Sequence, residues 1–365
     1  MQSKMQNLLN TLVRDRRERG VQVAVYHQGK LVIDAWAGTL DGRQPVDGRT
    51  LFPVFSVTKG MAATLLHILV ERGQVSYETP LAEVWPEFAA QGKSGIRLRH
   101  ALNHTAGLQY MPRGLDYATL CNWDAMCAVM AAQTPVAPSG TQMAYHAVTF
   151  SWLVGEVACR VTGRPFGELI QREICKPLGI TDMYVGIPDE VEPRVAILDE
   201  IFENGKPPVV DDTQPQSIRG LIQPLHTMMN RPDARRACIP ASNGIMSARA
   251  LAKHYAALLP GGVEGVELLP PARVRQATQL QRLDNGNYAE DRGLGYGLIG
   301  LPADKSTTTH PNGPVAFGHG GYGGANGFAD PRYGLAVGLT KNLYSPRAGG
   351  NEIMAAVREM LGIPQ

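Results

Sequence analysis

Ser56 and Lys59 stand three apart at the head of an apolar run, Gly60 to Val70. The run has helical length and no Asp, Glu, Lys or Arg before Glu71 and Arg72, which predicts a buried helix. Side chains three apart on a helix share a face. A serine at the N-terminal end of a helix also sits where backbone N–H groups are unpaired and the dipole favours negative charge. A serine nucleophile needs a neighbour to take its proton and donors to hold an oxyanion. This stretch offers both. A lysine at the head of a helix built for burial is costly unless it is partnered or neutral, and a lysine of lowered pKa is what a general base requires. The plainer alternative makes Ser56 an N-cap and Lys59 a solvated first-turn residue. Ser56-Val57-Thr58-Lys59 is the single S-x-x-K of the chain.

A third group usually positions or relays the proton of such a pair. Tyr145 is a candidate, because it follows the loop signal Pro138-Ser139-Gly140 and precedes an apolar helix beginning at Val148. Its plainer role is that of a buried aromatic anchor. The run Phe317-Gly318-His319-Gly320-Gly321-Tyr322-Gly323-Gly324 is rich in glycine, which weakens an ordinary strand. Glycine is tolerated where backbone approaches a ligand closely or donates N–H groups at an edge. Phosphate binding is excluded, since no G-x-x-x-x-G-K-[ST] occurs and Gly92-Lys93-Ser94 lacks the earlier glycine. No G-x-S-x-G occurs, which argues against a nucleophile elbow. His100 and His104 are four apart but lack H-E-x-x-H and an acidic third ligand, so no metal is expected.

The elements that must position these residues follow from periodicity and turn chemistry. Residues 2–18 predict an amphipathic helix, and Val21–Tyr26 and Leu31–Gly38 a hairpin turning at His27-Gln28-Gly29-Lys30. Short helices are expected at 98–103, a long one at 148–162 stopped by Gly163, and another at 247–259. Residues 199–240, with Pro207-Pro208, Asp211-Asp212 and Pro215, suggest a long loop or lid. Strands return at 295–300, 315–318, 325–329 and 334–340, and a helix closes at 351–362. Strands at both ends and helices between them imply one sheet built from both termini. The expected division is a mixed α/β domain of residues 1–58 and 240–365, with a mainly helical domain of residues 59–239.

The 365 residues carry 35 Lys and Arg against 33 Asp and Glu, a net charge of +2 that gives no cause to expect nucleic acid or a membrane surface as partner. Hydrophobic residues at 44% and charged residues at 19% mark a globular chain. The 5 cysteines are scattered without C-x-x-C, as in a reducing compartment. Residues 1–20 are polar and no apolar run reaches membrane-spanning length, so a cytoplasmic location is expected.

Together these stretches resemble the serine β-lactamase-like superfamily, which includes class C β-lactamases, D-alanyl-D-alanine carboxypeptidases and family VIII carboxylesterases. Phe55-Ser56-Val57-Thr58-Lys59 resembles the S-x-x-K box, and Leu102-Asn103-His104-Thr105-Ala106-Gly107-Leu108 the L-x-H-T-S-G-L landmark. Pro138 to Tyr145 resembles the approach to the tyrosine motif. Ser242-Asn243-Gly244-Ile245-Met246-Ser247-Ala248 is similar to the turn before the next helix, and His319-Gly320-Gly321 occupies the place of K-T-G. Two motifs depart from the lactamase pattern. Y-x-N becomes Tyr145-His146-Ala147, and the K-T-G lysine and threonine become His319 and Gly320. Both point away from penicillin-type substrates and toward the esterase branch or a related acyltransferase; Gly327-Phe328-Ala329-Asp330-Pro331 also looks like that group.

The resemblance implies an α+β fold, an antiparallel sheet flanked by helices plus an inserted helical domain, with a cleft between them. It implies acyl transfer through Ser56, with Lys59 and Tyr145 as base and acid and the backbone N–H groups of Ser56 and Tyr322 as the oxyanion hole. Substrate contacts are expected from His319, Gly320, Gly321, His146 and Trp123, the last from an apolar stretch at 109–135. The expected substrate is a small-molecule ester, with no cofactor and a monomer or small homo-oligomer. Transfer of the acyl group to an alcohol or amine is the leading alternative, followed by lactamase or peptidase activity and by a non-catalytic binding protein.

Overall fold

The computed structural model describes residues 1–300 and 315–364. In the strand Gly20–His27, Val21, Val23 and Val25 face one apolar cluster, while Ala24 and Tyr26 face another. Both faces of this strand are therefore covered. Lys30–Gly38 runs back antiparallel beside it. The turn between them has Gln28 at φ 50° and Gly29 at φ 72°. Positive φ at both central residues gives the mirror-image turn whose twist matches the flanking strands.

The main sheet has six strands, all antiparallel. Their order is Lys30–Gly38, Gly20–His27, Leu335–Lys341, Asn326–Asp330, Ala316–Gly320 and Gly297–Ile299. Val21 pairs with Lys341 and Val25 with Val337, so the two ends of the sequence meet in the sheet. Helices Gln2–Arg14 and Gly350–Leu361 cover one face through Met5, Leu9, Ile353 and Val357. Helix Ala248–Ala256 lies on the other. Gly338 permits this approach, since a Cβ there would stand 2.2 Å from the Ala248 carbonyl oxygen.

Beneath that second face runs the helix Thr58–Glu71, buried from Thr58 to Val70. A helix apolar on all sides belongs in a core. Helix Phe150–Thr162 packs beside it and ends at Gly163, in the left-handed conformation at φ 66°. These elements lie where periodicity predicts them, within a few residues at their ends.

Two features differ from the expectation. A small sheet places Gly244–Met246 between Phe52–Pro53 and Met183–Val185. Strands of two or three residues show no period in a sequence. Residues 199–240 also hold more structure than a single loop. Asp199–Glu200 pairs in parallel with Leu343–Tyr344, and short helices form at Leu225–Met229 and Pro232–Arg236. Among the described residues, no helix is long and apolar enough to cross a membrane.

Candidate active site

The small sheet delivers the chain into a strained turn. Phe55 has φ 49°, in the left-handed region that non-glycine residues seldom adopt. Its ring is held edge-on by Tyr322 and Tyr344, each with centroids 5.8 Å away. Strain of this kind persists where the surroundings fix it, and it clusters at working sites. The turn presents Ser56 just ahead of the helix. Val57 is the N-cap and no side chain caps the helix, so Ser56 does not perform the plainer capping role.

Lys59 is fully buried, yet its Nζ meets three oxygens: Ser56 Oγ at 3.1 Å, Ala147 O at 2.8 Å and Ala241 O at 2.9 Å. Burial holds its pKa well below the ordinary amine value, and the Arg292 guanidinium pushes the same way. A neutral amine has two N–H groups and one lone pair. The two carbonyls accept the N–H groups, which leaves the lone pair for the Ser56 hydroxyl. Tyr145 lines the same cleft as Ser56. Burial raises the Tyr145 pKa, with the Ser56 side chain and Arg292 opposing that rise, so its proton stays on. The Lys59 Nζ lies 4.9 Å from the Tyr145 ring centroid. Serine, a buried lysine of lowered pKa and a tyrosine of raised pKa thus line one point of the cleft.

The tyrosine is held by the 104–108 segment. Ala144 N donates to His104 O at 3.0 Å, and the His104 ring packs edge-on against Tyr145 at 4.7 Å. His146 braces the same junction: Leu108 N donates to its Nε2 at 3.1 Å, and its Nδ1 lies 2.6 Å from Ala144 O. Its Nε2 is therefore the acceptor and its Nδ1 carries the hydrogen. Burial lowers its pKa to about 4, so the ring is neutral. The expectation that His146 touches substrate is corrected: it stands behind the cleft as a strut, with both nitrogens occupied.

A cleft of about 580 Å³ opens over Ser56. His319, Gly320, Gly321 and Tyr322 line it, as expected for the glycine-rich strand end. The glycines have a steric cause. A Cβ on Gly321 would stand 2.1 Å from Val54 O, so only glycine lets this backbone lie against the segment carrying Ser56. Gly323, at φ 79°, would drive a Cβ into the Tyr344 ring. His319 is buried, and burial lowers its pKa to about 3. Its Nδ1 lies 2.7 Å from Gly320 O.

Trp123 is not brought to this cleft. Its indole stacks on Phe166, and its Nε1 donates to Glu156 Oε2 at 2.8 Å. It lines a separate cavity of about 860 Å³. An apolar residue between two motifs can turn to either side of its helix, and the partner Glu156 decides the side. The apolar wall at Ser56 comes instead from Ile218, Leu225 and Leu298, and a cation, Arg292, lines it as well. Sequence reasoning missed these four. Among the described residues, no cluster of three or more His, Cys, Asp or Glu could hold a metal ion.

An antiparallel sheet between helices, with a serine in the cleft bonded to a buried lysine, defines a serine hydrolase of the β-lactamase/transpeptidase-like fold. The Beta-lactamase family profile matches residues 5–359, and the chain belongs to that family. It is 34% identical over 347 residues to Esterase/beta-lactamase LipL of Mycobacterium tuberculosis, an alignment covering 91% of this chain and 79% of LipL. A family VIII carboxylesterase superposes with a TM-score of 0.82 and 32% identity, over 98% of this chain and 96% of that one. EstA from Arthrobacter nitroguajacolicus Rue61a superposes with a TM-score of 0.83 and 28% identity, again over 98% and 96%.

Proposed function

We propose that this protein is a carboxylesterase that hydrolyses small-molecule esters through an acyl-enzyme on Ser56. The observation that carries this reading is the Lys59 amine, 3.1 Å from Ser56 Oγ with its other two directions taken by the carbonyls of Ala147 and Ala241. An amine whose pKa is lowered by burial has a lone pair free to accept the serine proton.

In this mechanism Ser56 Oγ bonds to the ester carbonyl carbon as Lys59 takes its proton. The backbone N–H groups of Ser56 and Tyr322 hold the oxyanion. The carbon–oxygen bond to the alcohol then breaks. Tyr145, protonated and lining the same cleft as Ser56, delivers a proton to the departing oxygen and recovers one from Lys59. Water enters by the reverse path and frees the acid. His319, Gly320 and Gly321 form the wall beside the reacting carbonyl. The LipL and family VIII relatives support an ester as substrate, and so do the histidine and glycine in place of a lysine and threonine.

The test is covalent. A fluorophosphonate should label wild type on the peptide containing Ser56 and leave Ser56→Ala unlabelled, while p-nitrophenyl butyrate turnover disappears in the variant. Labelling of another residue, or full turnover by Ser56→Ala, would sink the reading. Faster turnover of a chromogenic cephalosporin than of the butyrate would move the substrate to the lactam class. Release of p-nitrophenol accelerated by an added alcohol, with a new ester formed, would make the enzyme an acyltransferase.

A further inference from the structure

Ser151 is a buried hydroxyl in an apolar helix. It stands in the first turn of Phe150–Thr162, between Phe150 and Trp152, and is fully buried. A buried hydroxyl costs stability unless it is hydrogen-bonded, so a serine with nothing to bind would be a poorer choice here than alanine. Its partner is backbone from far along the chain: Ala241 N donates to Ser151 Oγ at 2.9 Å, across 90 positions of sequence.

Ala241 belongs to a tight turn. Ser242 N donates to Ile239 O at 2.8 Å, with Pro240 and Ala241 between them. Proline has no N–H, so the Ala241 N–H is the donor at the centre of this turn, and Ser151 takes it. Asn243 fixes the foot of the turn. Its Oδ1 accepts from Ile239 N at 2.9 Å, and its Nδ2 donates to Ala234 O at 3.0 Å. The Ala241 carbonyl then points at Lys59 Nζ, 2.9 Å away. The second carbonyl on Lys59 belongs to Ala147, four residues before Ser151. One hydroxyl thus ties together the two segments that hold the Lys59 amine. One helical turn beyond Ser151, Gly155 faces the same turn, with the place of a Cβ 3.4 Å from Pro240 Cγ.

An amine is oriented by whatever accepts its N–H groups. With the Ala147 and Ala241 carbonyls fixed, the third direction of Nζ faces Ser56 Oγ at 3.1 Å. A turn free to rotate about Ala241 would release one N–H group and let the amine swing. Resting on the esterase reading, we propose that Ser151 is a positioning residue for the reaction, which aims the Lys59 lone pair at Ser56 by holding the Ile239–Ser242 turn. It acts through Lys59 and touches neither substrate nor the reacting atoms.

The test reads the second-order rate of fluorophosphonate labelling at Ser56, a single covalent step. Ser151→Ala should slow it about 10- to 100-fold, as small misplacements of reacting groups do. Ser151→Thr keeps the hydroxyl and should recover most of the loss. Ser151→Cys, of similar size but a poor acceptor, carries the same expectation as alanine and serves where the alanine variant does not fold. In a Lys59→Ala protein, adding Ser151→Ala should slow labelling no further, because no amine is left to aim. Equal slowing with and without Lys59 would overturn the proposal and make Ser151 a staple between helix and turn. A wild-type rate in folded Ser151→Ala would overturn it too. The expected labelling pattern in a protein that hydrolyses no p-nitrophenyl butyrate would retain the positioning role and reject the esterase reading. Butyrate turnover that Ser151→Ala leaves unchanged would keep the esterase reading and reject the positioning role.

Discussion

The Tyr322 hydroxyl donates a hydrogen bond to Glu200, a residue 122 positions earlier in the chain. Tyr322 thus has its ring wedged against Phe55, its hydroxyl tied down, and its backbone at the cleft wall. The other Glu200 oxygen lies 3.0 Å from His226 Nδ1, on the short helix whose Leu225 lines the same cleft. Burial first, and then the Glu200 carboxylate, push the Tyr322 pKa up, so this hydroxyl is a donor throughout the working pH range. Glu200→Ala should lower kcat for p-nitrophenyl butyrate by about 10-fold, less than the 10²–10³-fold of a lost oxyanion donor. Fluorophosphonate labelling of Ser56 should slow in step. An unchanged kcat would show that Tyr322 is held adequately by Phe55 and Tyr344 alone.

Lys59→Arg should abolish turnover while the protein stays folded. Arginine cannot lose its proton in a protein, so it cannot accept one from Ser56. Near-normal kcat in a folded Lys59→Arg protein would show that position 59 supplies charge alone. In wild type, kcat/KM should rise with pH as Lys59 loses its proton and then level off. Because burial lowers the Lys59 pKa, that limb should lie well below the pH of an ordinary lysine.

Stability should fall in mild acid for a reason visible at His67. This ring is fully buried, its Nδ1 lies 2.8 Å from the Tyr77 hydroxyl and its Nε2 lies 3.0 Å from Leu294 O. Burial lowers its pKa from 6.5 to about 3. Between those values the unfolded chain binds the proton and the folded one does not, so stability rises with pH across the window and is lost as pH falls. Each pH unit below the unfolded value costs about 1.4 kcal/mol for such a group. His67→Phe leaves the Tyr77 hydroxyl unpaired and should cost about 1–3 kcal/mol at pH 7. Denaturant titrations at pH 7 and pH 5 should show that deficit shrinking at the lower pH. A constant deficit would mean that His67 binds a proton in the folded state too.

Glu18 and Lys341 form an ion pair buried at the end of the main sheet, with Nζ and Oε1 2.6 Å apart. The same oxygen accepts the Gly349 N–H at 2.9 Å. Lys341→Met should destabilise by about 3–5 kcal/mol, because it strands a carboxylate without its counter-charge. Glu18→Leu combined with Lys341→Met should be more stable than Lys341→Met alone. A double variant worse than the single one would show that the Gly349 bond matters more than the charge pair.

The contact between Ser56 and Lys59 was legible because its geometry is local: one helical turn joins the two, and a sequence displays that spacing. Tyr145 was legible through its place in an ordered set of motifs. The six-stranded sheet was legible because each strand alternates or is apolar over several residues. Arg292 was not, because Tyr288-Ala289-Glu290-Asp291-Arg292 has the composition of a solvated turn. Only the return of that turn over the Tyr145 ring gives the arginine its place. Trp123 shows the converse. Its position between two motifs suggested the cleft, but Glu156, on another helix, draws its indole elsewhere. The Glu200–Tyr322 contact depends on a two-residue parallel pairing, Asp199–Glu200 with Leu343–Tyr344, that no periodicity announces.

The meeting of the two sequence ends in the main sheet also bears on how the chain is born. The Gly20–His27 and Lys30–Gly38 hairpin is made about 300 residues before its inner neighbour Leu335–Lys341. Until then the hairpin has an unpaired edge, an invitation to wrong pairing. The His319–Tyr322 wall also follows Ser56 by about 260 residues, so in the proposed mechanism Ser56 waits with Lys59 but without the Tyr322 N–H. A chain truncated after Gly318, which lacks both that wall and the Leu335–Lys341 strand, should therefore be cut by protease within residues 20–38 and resist fluorophosphonate, whereas the 365-residue chain should do neither. Delayed arming of this kind would keep a reactive serine silent until the sheet that walls its cleft has been made.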